Sequence, residues 1–279
     1  MMQLIRQELY KIFRRPRTYI GFAIIAAITL IIELALYSDG EAFINFALQS
    51  VTEQFDVQGR IVNGYLVTYI ILQSLIINIP LLVALVAGDV LAGEANIGTL
   101  RLLLTKPVSR SQLVWAKFTA SVVYTLLLLV WLALISLGLS LLIFGEGDLL
   151  NMKSGEMVML LKGDVMWRYM AAFGFAALAM TSVAALAVLL SVFAENSIGP
   201  IVSTMGIILF FTIITNLGLP SFELIKPWIM TTHMIAWKGF FSEPVPYAAI
   251  LNSAIVLLVY TGIFLTTTIV VFNRKDIKS

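Results

Sequence analysis

Six long apolar stretches, almost free of charged residues, constrain this chain more than any other feature of its sequence. A bilayer core about 30 Å thick is crossed by roughly 20 helical residues, and each stretch is about that long or longer. The stretches are continuously apolar, which argues against a transmembrane β-barrel with its alternating pattern. The sequence therefore predicts an all-α polytopic integral membrane protein with six transmembrane helices, at residues 19–37, 64–87, 112–144, 168–193, 200–219 and 247–272.

The composition agrees with membrane residence and excludes several other classes of protein. Hydrophobic residues make up 60% of the chain and charged residues 12%, against roughly 45–50% and about 25% in soluble domains. A water-soluble enzyme and a disordered chain are therefore both excluded. The chain has no Cys and one His, so we expect no disulfide framework, no thiolate nucleophile and no metal centre.

Both ends of the chain are predicted to lie in the cytoplasm. Five of the 18 Lys and Arg residues precede span 1, four fall from the end of span 2 up to and including Lys117, and three follow span 6. Short cytoplasmic segments carry an excess of Lys and Arg, which assigns these three segments to the cytoplasmic side. An even number of spans agrees with that placement. We expect a multi-pass protein of the cell's inner (plasma) membrane.

Residues 1–17, ahead of span 1, have the pattern of an amphipathic helix. Ile5, Leu9, Ile12 and Phe13 follow the spacing of one helical face, and most of the basic residues lie elsewhere. We expect this helix to lie along the inner membrane surface and to end at Arg15, because a residue before proline disfavours helix. It serves either as a positively charged anchor or as a docking site for a cytoplasmic partner.

Residues 88–111, between spans 2 and 3, are predicted to form a protruding elbow of two short helices. Three leucines make an apolar stripe, and Pro107 ends the first helix. Ser109 with Gln112 three residues later is a capping-box pattern, so the next helix begins at Arg110 or Ser111. Such an elbow is suited to transmitting a push from a neighbouring protein.

The run from Glu94 to Lys117 resembles the first cytoplasmic loop of ATP-binding-cassette (ABC) type-2 exporter permeases. In that loop an acidic residue, a Gly-Thr pair, a Leu-rich helix and a Pro-Val-Ser-Arg turn precede a lysine of the next span. The matching positions are Glu94, Gly98, Thr99, Leu102, Leu103, Pro107, Val108, Ser109, Arg110 and Lys117. The tail at residues 272–277 resembles the basic Asp-Ile ending of the same family. The resemblance covers the six-span plan, the amphipathic first helix and a segment before span 6.

The resemblance implies that residues 1–279 are a single transmembrane permease domain that works with separate ABC ATPase subunits. It implies a second permease copy or a paralogue, contact with membrane lipid, and no nucleic acid among the partners. The residues that it assigns to ATPase coupling are Glu94, Gly98, Thr99, Arg101, Pro107, Ser109 and Arg110, of which Arg101 and Arg110 are candidates for pairing with carboxylates of the ATPase.

ATP chemistry is expected outside this chain. No Walker A pattern occurs in the sequence, and no soluble stretch is long enough for an ATPase domain. We therefore expect no enzyme activity and no cofactor in the chain itself, with ATP and Mg on the partner ATPase.

Polar residues inside spans 2 and 5 are candidates for lining a transport pathway, because such groups avoid lipid. They are Ser74, Asn78, Thr204, Thr212 and Asn216. Hydroxyls of this kind can instead bond to their own helix backbone, so a structural role stays open. Residues 218–246, which we call the span 5–6 connection, are too polar for a span and predict re-entrant or interfacial helices. They either anchor the chain or close the outer end of the pathway.

Two other functions stay open at this point. An ion-coupled secondary transporter needs ionisable groups inside the membrane, and the spans offer Glu33, which we place close to one boundary. A membrane-embedded enzyme needs a cluster of carboxylates, histidines or a nucleophile, and the sequence shows none. No motif selects the transported substrate.

Overall fold

The computed structural model describes residues 1–47, 62–75, 77–99, 108–153, 156–217 and 223–275, and these are nearly all helical. The helices of the first half are α1 (Met2–Phe13), α2 (Pro16–Ala47), α3 (Gly64–Leu75), α4 (Asn78–Ala87), α5 (Asp89–Asn96), α6 (Arg110–Ala133) and α7 (Ser140–Phe144), with a π-helical turn at Leu134–Leu139 between the last two. Two strands follow, β1 (Leu149–Lys153) and β2 (Glu156–Leu160). The second half contains α8 (Lys162–Phe193), α9 (Ile198–Asn216), α10 (Met230–Met234) and α11 (Tyr247–Arg274), with 3₁₀ turns at Lys226–Trp228 and Ile235–Phe241.

Five of these helical segments are long and apolar enough to cross a membrane, and a bent pair supplies a possible sixth. The five are Pro16–Gly40, Arg110–Phe144, Lys162–Phe193, Ile198–Asn216 and Tyr247–Arg274. The bent pair consists of α3 and α4, whose axes differ by 55°. The chain is thus a polytopic helical membrane protein, as predicted.

Several helices depart from ideal geometry at identifiable places. Helix α2 bends at Asp39, which has non-helical backbone angles (φ −126°, ψ 17°). Pro80 lies in the first turn of α4, where its missing N–H is tolerated. A break in the second span just before this proline therefore costs no helical hydrogen bond of Pro80. The π-helical turn lies inside the third span, where it carries the buried Ser136. Irregularities of this kind are common at functional positions in membrane helices.

Helix α8 is the centre of the bundle. Two-thirds of the residues in its most apolar 18-residue stretch are buried, whereas a third or less are buried in the corresponding stretches of the other four long helices. It packs against α4, α6, α9 and α11. Its buried face is rich in alanine, including Ala179, Ala184, Ala185 and Ala187. Small side chains let helix backbones approach closely in a membrane, where packing substitutes for the hydrophobic effect.

An antiparallel hairpin joins the third span to α8, and the all-α prediction did not include it. Its strands pair from Leu149 with Leu160 to Lys153 with Glu156. The sequence holds Ser154 and Gly155 between the strands, a pair typical of two-residue hairpin turns. Leu149 and Leu160 are buried, so the base of the hairpin packs on the helices. We call this the hairpin end of the bundle.

The opposite end, which we call the α1 end, is closed by cations that cap helix C-termini. The Arg110 guanidinium donates to the carbonyl oxygens of Phe272, Asn273 and Lys275 at 3.0, 3.1 and 2.8 Å. The Lys275 ammonium donates to the carbonyl of Val192, at the end of α8, at 2.6 Å. Helix C-termini carry partial negative charge and unpaired carbonyls, so these bonds tie α6, α8 and α11 together.

The close crossing of α3 and the third span predicts a steric effect at Gly64. A Cβ atom there would lie 2.7 Å from the Leu141 Cα and 2.8 Å from the Ser140 carbonyl oxygen, both backbone atoms that cannot rotate away. We expect Gly64→Ala to destabilise the protein by about 1–3 kcal/mol through overpacking. Thermal unfolding in detergent measures this. Gly174→Ala is the matched control, because nothing lies within 4 Å of its Cβ position, and an unchanged melting temperature for Gly64→Ala would contradict the packing argument.

Candidate functional site

Four charged side chains from three elements meet at the α1 end in what we call the charge cluster: Glu8, Lys11, Glu94 and Lys117. The Lys117 ammonium lies 2.8 Å from Glu8 Oε2 and 2.7 Å from Glu94 Oε2. The Lys11 ammonium lies 2.7 Å from both Glu8 Oε1 and Glu94 Oε1. Each lysine thus bridges both carboxylates. The cluster joins α1, α5 and the third span through α6.

Local sequence explains how the charge cluster forms. Glu8 and Lys11 are three residues apart on α1 and therefore share a face, which also carries the buried Ile12. Glu94 lies on the buried side of α5, at 4% exposure. Lys117 follows the start of α6 by seven residues, or about 10 Å of helix rise. Each of the three helices therefore contributes from its own buried face.

The energetics of the cluster depend on complete pairing. Lys117 is 0% exposed, so its ammonium is fully removed from water. An unpaired buried charge costs several kcal/mol, whereas a paired and hydrogen-bonded one is tolerated. Two carboxylates facing two ammonium groups make the cluster neutral. The three helices are therefore held in one relative position, because separating α5 or α6 leaves an uncompensated charge, and separating α1 takes away half of the partners of Lys117 and Glu94.

Both α1 members of the cluster stay charged at neutral pH. Burial alone would raise the pKa of Glu8, but the nearby Lys117 and Lys11 outweigh it and hold the pKa below the usual 4.5. Burial alone would lower the pKa of Lys11, but hydrogen bonds to the Glu8 and Glu94 carboxylates raise it above the usual 10.5. The depressed and raised pKa values both stabilise the docked α1 at intermediate pH.

A second group of charges lies beside the cluster, around Asp89 at the start of α5. Its Oδ2 accepts from the guanidinium groups of Arg15 and Arg17, and its Oδ1 accepts from the hydroxyl of Ser197. Asp89 is 3% exposed. A Cβ atom on Gly93, one turn later, would meet the Asp89 carboxylate, so glycine is needed there. The α1–α2 turn, α5 and the start of α9 are thus joined at one carboxylate.

The structure describes part of the elbow and shows the surroundings of three residues that were predicted to couple to the ATPase. Glu94 is a member of the charge cluster and is not free at the surface. Gly98 follows α5 with φ +73°, a conformation that glycine adopts readily at helix ends. The Thr99 hydroxyl donates to the Glu94 carbonyl at 3.3 Å. Arg101 and Pro107 lie outside the described residues.

At the other side of the elbow, Ser109 caps α6. Its hydroxyl accepts from the Gln112 N–H at 3.2 Å, and the Gln112 side chain accepts from the Ser109 N–H at 3.3 Å. The predicted capping box is confirmed, and α6 begins at Arg110. The Arg110 guanidinium donates to backbone carbonyls at the end of α11. In the structure, the residue predicted to pair with an ATPase carboxylate therefore bonds to its own chain.

The polar residues of spans 2 and 5 separate into two groups. Thr212 and Asn216 line a cavity of about 260 Å³. Ser74, Asn78 and Thr204 are not among its lining residues. The hydroxyls of Ser74 and Thr204 donate to the carbonyls one turn earlier in their own helices, at 2.9 and 2.6 Å. In the structure, the hydroxyls of Ser74 and Thr204 therefore bond to the backbone of their own helices, which is the structural role left open by the sequence.

Glu33 lies inside the bundle. It is 1% exposed, and its Oε1 accepts a hydrogen bond from the Ser140 hydroxyl at 2.8 Å. Among the described residues, no group of three or more His, Asp or Glu side chains is arranged to hold a metal ion.

At this end, the sequence analysis missed the charged residues Glu8 and Asp89. It also missed the role of Lys117 in the charge cluster. A signal for Glu8 was present, because an acidic residue in a basic helix shares a face with Ile12. Lys117 was matched to the family pattern, but nothing local predicts its two carboxylate partners. Glu8 and Lys117 are 109 residues apart in the chain.

The fold and the charge cluster define a multi-pass membrane subunit whose surface helices are locked to its spans. A family model described as ABC-2 family transporter protein matches residues 2–277, nearly the whole chain. The chain therefore belongs to the ABC-2 transporter family and is an ABC-type permease. No curated protein matches this sequence.

Removing the buried lysine of the charge cluster should be severely destabilising. We expect Lys117→Met to cost about 3–5 kcal/mol, because Glu8 and Glu94 would be left with one cation between them. The double variant Glu94→Gln/Lys117→Met should recover part of the loss, because it leaves Glu8 and Lys11 as a neutral pair. Thermal unfolding in detergent compares the two.

The control for this prediction is Lys226→Met, which breaks an ion pair between Lys226 and the exposed Glu223. Exposed pairs contribute about 0–1 kcal/mol, so this variant should unfold like the wild type. Equal losses for Lys117→Met and Lys226→Met would contradict the assigned burial of the cluster.

Proposed function

We propose that this chain is the membrane subunit of an ABC exporter, which forms the transmembrane pathway and is driven by ATP hydrolysis on separate ATPase subunits. The observation that carries the proposal is the charge cluster, which joins α1 and the largely buried α5 to the third span. A push on the elbow reaches the membrane helices through this cluster. ATP and Mg belong to the ATPase, and the permease transmits its closure.

The surface available to an ATPase lies around the end of α5 and the outer face of α1. Ile97 is 65% exposed at the end of α5. Arg6, Tyr10 and Arg14 are exposed on α1, with the Arg14 guanidinium 5.0 Å from the centre of the Tyr10 ring. An exposed apolar residue at the end of α5 and exposed basic groups along α1 suit a partner with an apolar pocket and carboxylates. Glu94 then acts behind this surface, by holding α5 on Lys117.

The mechanism follows from how the connected parts can move. Separating α5 from α6 would leave Lys117 and Lys11 with the single carboxylate of Glu8, so the elbow moves together with the third span. The Asp89 group extends the connection to α2 and α9. Closure of the ATPases therefore moves spans 1, 3 and 5 together, and this motion switches access to the pathway. Bistable packing of this kind converts small displacements into discrete states.

We further propose that two permease subunits, two copies or this chain and a paralogue, complete the pathway. Thr212 and Asn216 border the cavity of one subunit. Ser74 is exposed and Asn78 half-buried, so both can face a pathway shared with a second subunit. Thr204 is 0% exposed and would need a rearrangement to reach it. Membrane lipid covers the remaining apolar surface.

Both termini are proposed to face the cytoplasm. The basic residues Arg15, Arg17, Arg110 and Lys275 all take part in contacts at the α1 end. This concentration of Lys and Arg agrees with the positive-inside rule. The hairpin end then faces outward, and the protein is a multi-pass component of the inner (plasma) membrane.

Labelling of single cysteines tests this orientation, because the chain has no native Cys. Met159 on β2 and Met2 on α1 are 64% and 80% exposed. We expect a membrane-impermeant maleimide to label Met159→Cys in intact cells, and Met2→Cys only after permeabilisation. The reverse pattern would place the termini outside.

Coupling is tested with the Glu94→Gln/Lys117→Met double variant, which removes the bridge but leaves no uncompensated charge. The permease is co-purified with an ABC ATPase that binds it, and ATP hydrolysis is measured in nanodiscs. We expect the complex to form and the permease-dependent change in ATP hydrolysis to fall severalfold, because the elbow no longer pulls on the third span.

The matched control is Glu223→Gln/Lys226→Met, which removes an exposed ion pair of the same two residue types. It should couple like the wild type. Wild-type coupling by the cluster variant would show that the cluster does not transmit force. Failure of the wild-type chain to bind or respond to any ABC ATPase would overturn the proposed function itself.

A further inference from the structure

The cavity of about 260 Å³ is separate from the charge cluster and lies beneath the span 5–6 connection. Its walls come from the broken second span, α6, α8, α9 and the helices of that connection. Most of the lining side chains are apolar, including Leu72, Leu132, Phe173, Met180, Ile208 and Met234. A dry apolar cavity of about 150 Å³ can bind benzene. This larger cavity therefore has room for a single hydrocarbon chain or a small ring system.

One buried hydroxyl beside this cavity has no partner. Thr231, on α10, lines the cavity and is 7% exposed. Its Oγ1 is buried and makes no hydrogen bond within the structure. An unsatisfied buried hydroxyl costs about 1–3 kcal/mol. If the Thr231 side chain turns about its Cα–Cβ bond toward the cavity, a ligand oxygen there would remove that cost by accepting the bond.

The cavity also contains a cation that forms no ion pair with any described carboxylate. Lys238 is half-buried at the cavity wall, and its ammonium lies 5.9 Å from the centre of the Trp237 ring. The carboxylates of Glu223 and Glu243, in the same connection, are paired with Lys226 and Arg168. Burial lowers the pKa of Lys238, because the ammonium is poorly solvated there, and an anion beside it would stabilise the charged form.

We propose that this cavity binds a single-chain amphipathic anion, with its apolar part among the cavity side chains and its carboxylate or phosphate paired with Lys238. A ligand oxygen near the head accepts a hydrogen bond from the Thr231 hydroxyl after that side chain rotates toward the cavity. This inference rests on the proposed function in one respect, since in an exporter the bound anion is the cargo or a close analogue of it.

The same features exclude the neighbouring ligand classes. A cationic amphiphile would place its charge against the Lys238 ammonium, where like charges repel in a poorly solvated site. A neutral amphiphile would leave Lys238 desolvated and unpaired. A phospholipid with two acyl chains is too large, because the cavity is already below the roughly 300–1,000 Å³ of sites for drug-sized ligands.

Photo-crosslinking tests the proposal with the full chain in phosphatidylcholine nanodiscs, without ATP or ATPase. The probe is decanoate with a diazirine near its methyl end, and its methyl ester is the uncharged comparison. We expect saturable labelling of cavity residues by the anion, and binding of the ester about tenfold weaker. Lys238→Met should weaken binding of the anion about tenfold and leave binding of the ester unchanged, whereas Lys238→Arg should bind the anion like the wild type.

Lys226→Met serves as the control, because it removes a cation of the same connection that does not line the cavity. Equal labelling by anion and ester, labelling outside the cavity, or an unchanged affinity in Lys238→Met would overturn the proposal. Displacement of the probe by a two-chain anionic phospholipid would also overturn it, by identifying a bilayer lipid as the occupant. Because the assay needs no ATP, probe binding with failed ATPase coupling would count against the proposed function alone.

Discussion

The buried ammonium of Lys117 is the constraint on which the α1 end depends. It is 0% exposed, and the cost of removing it from water is offset by Glu8 and Glu94, which face it. Those carboxylates come from α1 and α5, so one lysine of the third span determines where two surface helices lie. The desolvation cost that makes the cluster expensive to form also makes it stiff, because partial separation strands a charge. A connection with that property suits the transmission of force.

The two ends of the bundle are held by different physics. At the α1 end, the charge cluster, the Asp89 group and the cations capping α8 and α11 join the helices through ionic and charge-assisted bonds. At the hairpin end, apolar packing and the buried Arg168 hold the span 5–6 connection over a cavity. The stiff end thus receives the ATPase in the proposed mechanism, and the more loosely filled end holds the ligand.

Sequence reasoning succeeded where the physics is local. The apolar stretches predicted the long helices, because every backbone polar group in a membrane must be satisfied within a helix or a closed barrel. The capping box of Ser109 and Gln112 was predicted because its bonds join residues three positions apart. The partners of Arg110 were not, because they lie more than 160 residues later in the chain. The hairpin was missed although the Ser-Gly pair in the sequence between its strands is a local signal.

The sequence by itself determined membrane residence, the helical class and the family pattern, since hydropathy, helix signals and a local motif all act over a few turns of chain. The tertiary structure alone decided that Glu8 meets Lys117, that Asp89 gathers two arginines and a serine, and that Lys238 and Thr231 share a cavity. These pairings depend on how whole helices cross. The crossing is set by the packing of many apolar side chains, which no short stretch of sequence records.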